Sequence, residues 1–463
     1  MNNTERMGKA PILKLVLKFS IPTIIAMIVN AIYNVVDRIF VGHFVGEDAL
    51  GGLTVAFPIM IVAFAIGALF AIGGATLVSI KLGEHNPEEA NKCFGNMSVL
   101  LLISGLSMTV LGQIFMPSLL KLVGATEANL PYALSYMRII TAGVVLQLCS
   151  FTMSVMIRTE GKPIYSMVSQ IVSAVTNIVL DYVFIGPLNM GVAGAALATI
   201  IGQLVGFVLL FHYFFISKKS MLKLNKENMR LRMSLVKKIT VIGSSSFIIN
   251  LGTGISASFT NVALHQHGGD AAITSYGAIN SLVTLVLMPI IGILQGIAPI
   301  MGFNYGMRQL QRVWRTLWTG IGFGSVFAVL MFTLMEIFPE AAVSLFIDPA
   351  SPTMKLCAEG LRLQILFLPI LSISVLSTAY FQSTAQGGKS LFISLMRQVL
   401  TVIMVLTLPY LWQLNGVWLA VPIAEVTMIF VSLVMLFLDW HKRNQLPLSE
   451  PVGPAPQPDM IQQ

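Results

Sequence analysis

Residues 217–238 read SKKSMLKLNKENMRLRMSLVKK, and this polar stretch, with eight Lys or Arg residues, lies near the middle of the chain. The sequence on both sides of it is strongly apolar. Hydrophobic residues make up 56% of the 463 residues and charged residues only 10%. A soluble domain carries about 25% charged residues. The chain therefore lacks the polar surface of a soluble enzyme, and its hydrophobicity excludes a disordered protein.

Apolar segments long enough to cross about 30 Å of hydrocarbon occur six times before this stretch and six times after it. We expect the spans at 12–39, 51–80, 94–116, 131–157, 164–186, 191–216, 239–263, 274–302, 314–338, 360–385, 391–412 and 416–438. The pattern predicts an all-α membrane protein with twelve transmembrane helices in two six-helix lobes. The predicted parts are an N-terminal lobe at 1–216, a basic cytoplasmic linker at 217–238, a C-terminal lobe at 239–440 and a disordered cytoplasmic tail at 441–463.

Weak internal similarity at an offset of about 225 residues indicates that the two lobes are repeats. Glu160-Gly161-Lys162 matches residues 386–389, QGGK, and residues 194–198, GAALA, match residues 416–420, GVWLA. Each lobe has an even number of spans, so both lobes enter the membrane from the same side. We therefore expect pseudo-symmetric lobes related by an axis along the membrane normal, a plan of secondary transporters that bind substrate between the lobes.

The basic residues predict the orientation. If the N-terminus lies inside, 23 of the 28 Lys and Arg residues fall on inner segments, Arg158 and Arg397 among them. This bias places both termini in the cytoplasm. The net charge of +8 is explained by basic residues that set the membrane orientation and contact anionic membrane lipid. No nucleic-acid partner is needed to explain this charge.

Ionisable groups inside a span are costly and are functional candidates by default. Three acids lie inside the predicted spans: Asp37, Asp181 and Glu425. Asn177 precedes Asp181 by four residues and so shares its helix face. Thr199 in the sixth span and Tyr33, one turn before Asp37, lie at a similar depth.

Two carboxylates, a carboxamide, a hydroxyl and a phenol offer oxygen ligands without sulfur or imidazole. Such a set suits a hard monovalent cation rather than zinc or copper. Two neighbouring carboxylates in a low dielectric also favour a bound proton, so Na⁺ and H⁺ both remain open. Asp37 could instead pair with Arg38 at the interface, and Asp181 could brace helices. Glu425 has no obvious partner, and it could attract cationic ligands into a cavity lined by Met and aromatic residues. No phosphate-loop motif is present, so a coupled ion is the expected energy source.

The string at residues 33–42, YNVVDRIFVG, together with Asn177, Asp181 and Thr199, resembles the multidrug and toxic compound extrusion (MATE) family over residues 10–440. The resemblance implies a V-shaped pair of six-helix lobes that exports cationic lipophilic drugs against Na⁺ or H⁺. By position, Asp37, Asn177, Asp181 and Thr199 match the family's cation site, which would hold Na⁺ in a Na⁺-coupled member. Tyr33 and Tyr136 resemble polar neighbours of that site, and Pro22 resembles the family's first-helix hinge. Some branches use acids in spans seven and ten, but here 239–263 and 360–385 contain none.

Two other functions fit parts of the sequence less well. A lipid-linked precursor flippase of related architecture would need a basic cavity, whereas Lys and Arg are scarce inside the spans. An intramembrane aspartyl protease could use Asp37 and Asp181 as a dyad, but no GxGD string is present. We therefore predict a monomeric, non-enzymatic exporter of the bacterial cytoplasmic membrane, with no cofactor beyond the coupling ion.

Overall fold

The structure, a computed structural model, describes residues 3–217 and 219–444, and those residues form helices and no strand. The predicted tail at 441–463 falls almost entirely outside the described residues. The helices are α1 Asn3–Lys9, α2 Ile12–Phe44, α3 Glu47–Gly83, α4 Pro87–Leu122, α5 Leu130–Ala142, α6 Val144–Thr159, α7 Pro163–Ile185, α8 Gly191–Phe211 with a π-helical turn at His212–Ile216, α9 Met233–Gly306, α10 Leu310–Ile337, α11 Pro339–Val343, α12 Met354–Gln364, α13 Leu368–Ser383, α14 Gly387–Thr407 and α15 Pro409–Asn444.

The longest helical stretch, α9, contains two spans. Its 74 residues would reach far beyond the thickness of a bilayer if they were straight. Gly269 interrupts the helix with φ 64° and ψ −161°, a conformation that is accessible to glycine because it has no Cβ. We call residues 233–268 α9a and residues 270–306 α9b. They correspond to predicted spans seven and eight.

Two further spans are bent. The pair α5 and α6 turns by 54° at Gly143, and the pair α12 and α13 turns by 49° at residues 365–367. In the described chain nine helices are long and apolar enough to span a membrane, each bent pair completes another span, and α9 supplies two spans. The predicted twelve spans are thus confirmed. The bends occupy corresponding places in the two lobes, as expected of repeats.

Because twelve is an even number, both ends of the chain lie on one side of the membrane, which we call the terminus side; the other is the far side. Apolar clusters in the far-side half belong to one lobe each, one around Val41 and Met116 and another around Trp418. Clusters in the terminus-side half combine both lobes, and one of them joins Phe19 to Phe303. Within residues 3–217 and 219–444, the lobes therefore share a core on the terminus side alone.

Close backbone packing joins the lobes at this shared core. A Cβ on Gly73 would overlap the carbonyl of Ile239, and a Cβ on Gly292 would lie 2.7 Å from the Cα of Ile24. Every glycine contact and hydrogen bond between the lobes, within the described ranges, lies in the terminus-side half. The two lobes consequently form a V that opens toward the far side.

The basic linker packs on the N-terminal lobe. The buried Glu160 carboxylate accepts hydrogen bonds from the Tyr213 hydroxyl and the Ser220 hydroxyl, both at 2.5 Å. It also accepts from the backbone N–H groups of Met221 and Leu222 at 2.9 and 3.0 Å. Helix α9 begins at Met233, inside the stretch predicted as linker.

Candidate functional site

Asp37 lies in the far-side part of α2 and is only 8% exposed. Its neighbour Arg38 is exposed, and the Arg38 guanidinium lies 5.3 Å above the ring of Phe57. No ion pair joins Asp37 to Arg38 in the described part of the chain. The interpretation of Asp37 as one half of a surface ion pair is therefore not favoured.

Helix α7 carries the second carboxylate. Asn177 and Asp181 lie one turn apart on its buried face, and Asp181 is fully buried. Because α2 packs along α7, the Asp37 and Asp181 carboxyl groups are close enough to interact electrostatically. The two acids, separated by 144 positions in the sequence, thus belong to one site.

Helix α8 approaches α7 closely beside this pair. A Cβ on Gly202 would lie 2.8 Å from the Ser173 carbonyl oxygen and 3.0 Å from the Asn177 Cβ. One turn before Gly202, the half-buried Thr199 accepts a hydrogen bond from the Asn177 side-chain N–H at 3.5 Å. This contact orients the Asn177 side chain so that its amide oxygen remains available as a ligand.

Two tyrosines complete the site. Tyr136, on α5, is buried in the far-side core of the N-terminal lobe and interacts with Thr199 and with both carboxyl groups. Tyr33 lies one turn before Asp37 on α2 and interacts with Asp37 and Asp181. The structure therefore brings together all six residues that the sequence analysis assigned to a cation site.

The site contains four buried oxygen atoms without a hydrogen-bond partner. They are Oδ1 of Asp37, Oδ1 of Asn177 and both carboxylate oxygens of Asp181. Buried polar atoms in folded proteins are nearly always satisfied, so four such acceptors at one place require an explanation. Oxygen ligands are those that hard cations prefer, and carboxylates also accept protons. The arrangement is thus chemically suited to a small monovalent cation or a proton.

Pro22 lies in the same helix as Asp37, toward the terminus side, and is buried inside α2. Proline has no N–H to donate within the helix, yet α2 continues through it. The next residue, Thr23, donates a hydrogen bond of 2.6 Å to the Gly292 carbonyl in the other lobe. The predicted hinge residue therefore lies where the first span meets the C-terminal lobe.

Glu425 lies apart from this site, on α15 in the C-terminal lobe. It has a partner that the sequence analysis missed. Its Oε1 lies 3.5 Å from Nε of Arg397, and its Oε2 accepts a 2.8 Å hydrogen bond from the Ser374 hydroxyl. The sequence analysis counted Arg397 among the basic residues of the inner segments, although it lies inside the predicted span 391–412, and the structure places it in the middle of α14. The only sequence signal for the pair was a basic residue near the start of an otherwise apolar span.

Comparison with known proteins is consistent with this architecture. The MatE family profile matches the chain twice, at residues 22–183 and 245–407. The two matches confirm the internal duplication. Multidrug export protein MepA of Staphylococcus haemolyticus (strain JCSC1435) is 26% identical over 439 residues, covering 95% of each chain.

Solved structures share the fold. The MATE multidrug transporter DinF-BH, solved in complex with R6G, is 34% identical, with a TM-score of 0.87 over 95% of this chain and 98% of that one. A MATE family transporter of the MOP superfamily in an outward-facing conformation is 22% identical, with a TM-score of 0.90 over 96% and 99% of the two chains. With the double profile match, these likenesses establish that the chain belongs to the MatE family, the multidrug and toxic compound extrusion transporters.

Proposed function

We propose that the protein is a secondary active multidrug efflux antiporter that exports cationic lipophilic compounds in exchange for Na⁺ or H⁺. Its family consists of transporters, and its relatives include multidrug export proteins. The observation that carries the ion coupling is the group of four unpartnered buried oxygens on Asp37, Asn177 and Asp181. The protein needs no further cofactor for this exchange, because the ion gradient supplies the energy.

The geometry supports a route from ion binding to lobe movement. An ion shifts a conformational equilibrium only if it binds one state more tightly than the other. Asp37 and Asp181 lie on different helices, so an ion or proton between them favours one packing of α2 against α7. The same α2 touches the other lobe through Ile24 and Thr23. A change in helix packing at the cation site can thus reach the interface between the lobes along the single helix α2.

The orientation of the antiporter follows from its basic residues. We place the terminus side, and both termini, in the cytoplasm of a bacterial cell, because positive residues accumulate on cytoplasmic segments. The far-side opening then faces outward and represents the state that releases drug and takes up the ion. The proposed working unit is a monomer in contact with membrane lipid. Labelling of single cysteines by a membrane-impermeant maleimide tests this: Asp48→Cys should react from outside in intact cells, and Lys226→Cys should not.

A dye assay tests the coupling. Purified protein in proteoliposomes would be given a Na⁺ gradient and a pH gradient separately, with a fluorescent lipophilic cation as substrate. We expect gradient-driven dye movement in the wild type and none in Asp37→Asn. Asp48→Asn is the matched control, since it neutralises an exposed acid near the same membrane face. Full gradient-driven transport by Asp37→Asn would refute the proposed coupling.

The flippase alternative is not proposed. It requires basic side chains that are free to bind a pyrophosphate within the membrane. The buried Arg397 is paired with Glu425, and the buried Arg158 donates to Ser166 at 2.8 Å and to Gln295 at 3.0 Å.

A further inference from the structure

The C-terminal lobe contains a buried ion pair that joins three of its spans. Arg397 on α14 lies 3.5 Å from Glu425 on α15, and both side chains are about nine-tenths buried, at 11% and 10% exposure. Ser374 on α13 donates to Glu425 at 2.8 Å and accepts from Arg397 at 2.6 Å. We call these three residues the C-lobe cluster.

The C-lobe cluster lies near the counterpart of the candidate cation site. Helices α13, α14 and α15 are spans ten, eleven and twelve, and in the repeat they correspond to spans four, five and six. At the spacing of the two family matches, Asn177 falls at residue 400 or 401, and Asp181 falls near Val405. Arg397 therefore lies about one helical turn from the place that corresponds to Asn177.

We infer that the C-lobe cluster is a cation site whose cation is permanently supplied by the Arg397 guanidinium. In the N-terminal lobe three carboxylate oxygens of Asp37 and Asp181 are buried and unpartnered. In the C-terminal lobe the carboxylate of Glu425 already faces a guanidinium at 3.5 Å and accepts a hydrogen bond from Ser374. Glu425 is then neither a coupling acid nor a binding group for cationic substrate. The exchange of ions belongs to the N-terminal lobe alone, and the C-lobe cluster fixes the three helices it joins.

Stability measurements on purified protein test the pairing. Removing one partner of a buried ion pair leaves a buried charge uncompensated, whereas replacing both partners by uncharged side chains of similar volume is close to neutral. We expect Arg397→Ala to lower the unfolding temperature clearly and Arg397→Ala with Glu425→Gln to recover part of the loss, because both variants keep the cavity left by the arginine side chain but only the single variant keeps the uncompensated charge. A double variant no more stable than Arg397→Ala would overturn the inference, because the guanidinium would then not be acting as the counter-ion of Glu425.

Chemical rescue provides an independent readout. Methylguanidinium chloride at millimolar concentration should raise the unfolding temperature of Arg397→Ala, with equimolar NaCl as the ionic-strength control. It should not raise that of the double variant, which lacks the carboxylate. The inference would be overturned by an equal response of both variants, or by no response of Arg397→Ala.

The expected effect of the cluster on transport rests on the proposed function. The experiment distinguishes failure of this expectation from failure of the proposed function. The double variant should keep ion-driven dye transport within about twofold of the wild type, because its Asp37 and Asp181 are intact. Loss of transport by this variant in a folded state would show that Glu425 takes part in the exchange and would overturn the inference. Transport by Asp37→Asn would instead overturn the proposed function and leave the stability tests of the cluster standing.

Discussion

Asp181 is the acid that most needs a bound cation or proton, since both of its carboxylate oxygens are buried without a hydrogen-bond partner. A buried charge in that position is costly unless a cation or a proton neutralises it. We expect Asp181→Asn to abolish ion-driven transport without lowering the free energy of unfolding, because the amide keeps the shape of the carboxylate and carries no charge. Dye transport and thermal unfolding of the same preparation measure both effects. Wild-type transport rates in this variant would contradict the assignment.

Thr199 contributes through its hydroxyl, which holds the Asn177 amide at 3.5 Å. Thr199→Val keeps the volume and removes this contact. Loss of one hydrogen bond costs about 1 kcal/mol, so we expect the concentration of ion for half-maximal transport to rise roughly fivefold. Thr152→Val is the matched control, because that buried hydroxyl bonds only to the Leu148 carbonyl of its own helix. Equal shifts in the two variants would show that the effect is not specific to the site.

The grouping of the candidate cation-site residues could be predicted from sequence because acidic residues are unusual in apolar spans. Acids are rare inside membrane spans, so Asp37 and Asp181 stand out, and helical spacing places Asn177 on the face of Asp181. The partner of Glu425 could not be predicted in this way. Arg397 precedes it by 28 positions on another helix, and no local spacing reports a contact between two helices.

At the scale of helices, the contact of α7 with α8 depends on Gly202. A Cβ there would lie 2.8 Å from a backbone oxygen, which cannot rotate away as a side chain can. We expect Gly202→Ala to separate the helices, to destabilise the protein by about 1–3 kcal/mol and to reduce ion-driven transport. Gly322→Ala, on α10 with open space around it, should be neutral or slightly stabilising. Thermal unfolding and dye transport of both variants provide the comparison, and equal stability would refute the packing argument.

Pro22 weakens α2 within its contact with the other lobe, between Ser20, which packs on Gly296, and Thr23, which donates to Gly292. Pro22→Ala restores a backbone donor toward the Lys18 carbonyl and makes the helix stiffer. We expect an unchanged or higher unfolding temperature together with transport reduced several-fold, since bending of α2 would then be harder. Pro58→Ala, in α3 with an exposed side chain, tests whether the loss of any helix proline has this effect. A Pro22→Ala protein that transports normally would argue against a hinge.

Hydropathy was sufficient to predict that these helices exist, but not their bends. The length of an apolar stretch reports that it can cross the bilayer, and all twelve predicted spans were found. The breaks at Gly143 and at residues 365–367 went unpredicted, because a helix can bend without losing apolar character. Membrane helices also extend beyond the hydrocarbon, so α3 runs from Glu47 to Gly83 although its predicted span was 51–80.

The whole molecule combines two lobes of similar architecture with different electrostatics. The N-terminal lobe presents unpartnered carboxylate oxygens, and the C-terminal lobe neutralises its buried acid with its own arginine. Duplication alone would give two equivalent ion sites. We infer from this difference that, under the proposed function, the N-terminal lobe responds to the ion while the C-terminal lobe serves as the rigid body against which it moves.

If the lobes move relative to each other during transport, a cross-link across their terminus-side interface must stop the transport cycle. Ser79 in α3 and Gly302 in α9b meet there, and a Cβ on Gly302 would lie 3.0 Å from that of Ser79. This is about 0.5 Å shorter than the Cβ separations usual in disulfides, so the two helices must part slightly to admit a cross-link. Cysteines at both positions, in a background whose native Cys93, Cys149 and Cys357 are replaced, should form a cross-link on oxidation.

We expect oxidation of this double-cysteine protein to reduce dye transport to a small fraction of the wild-type rate, and reduction to restore it. Either single cysteine should be insensitive to oxidation. Normal turnover by the fully cross-linked protein would mean that the terminus-side seam stays closed throughout transport, and rocking of the lobes would then have to be abandoned.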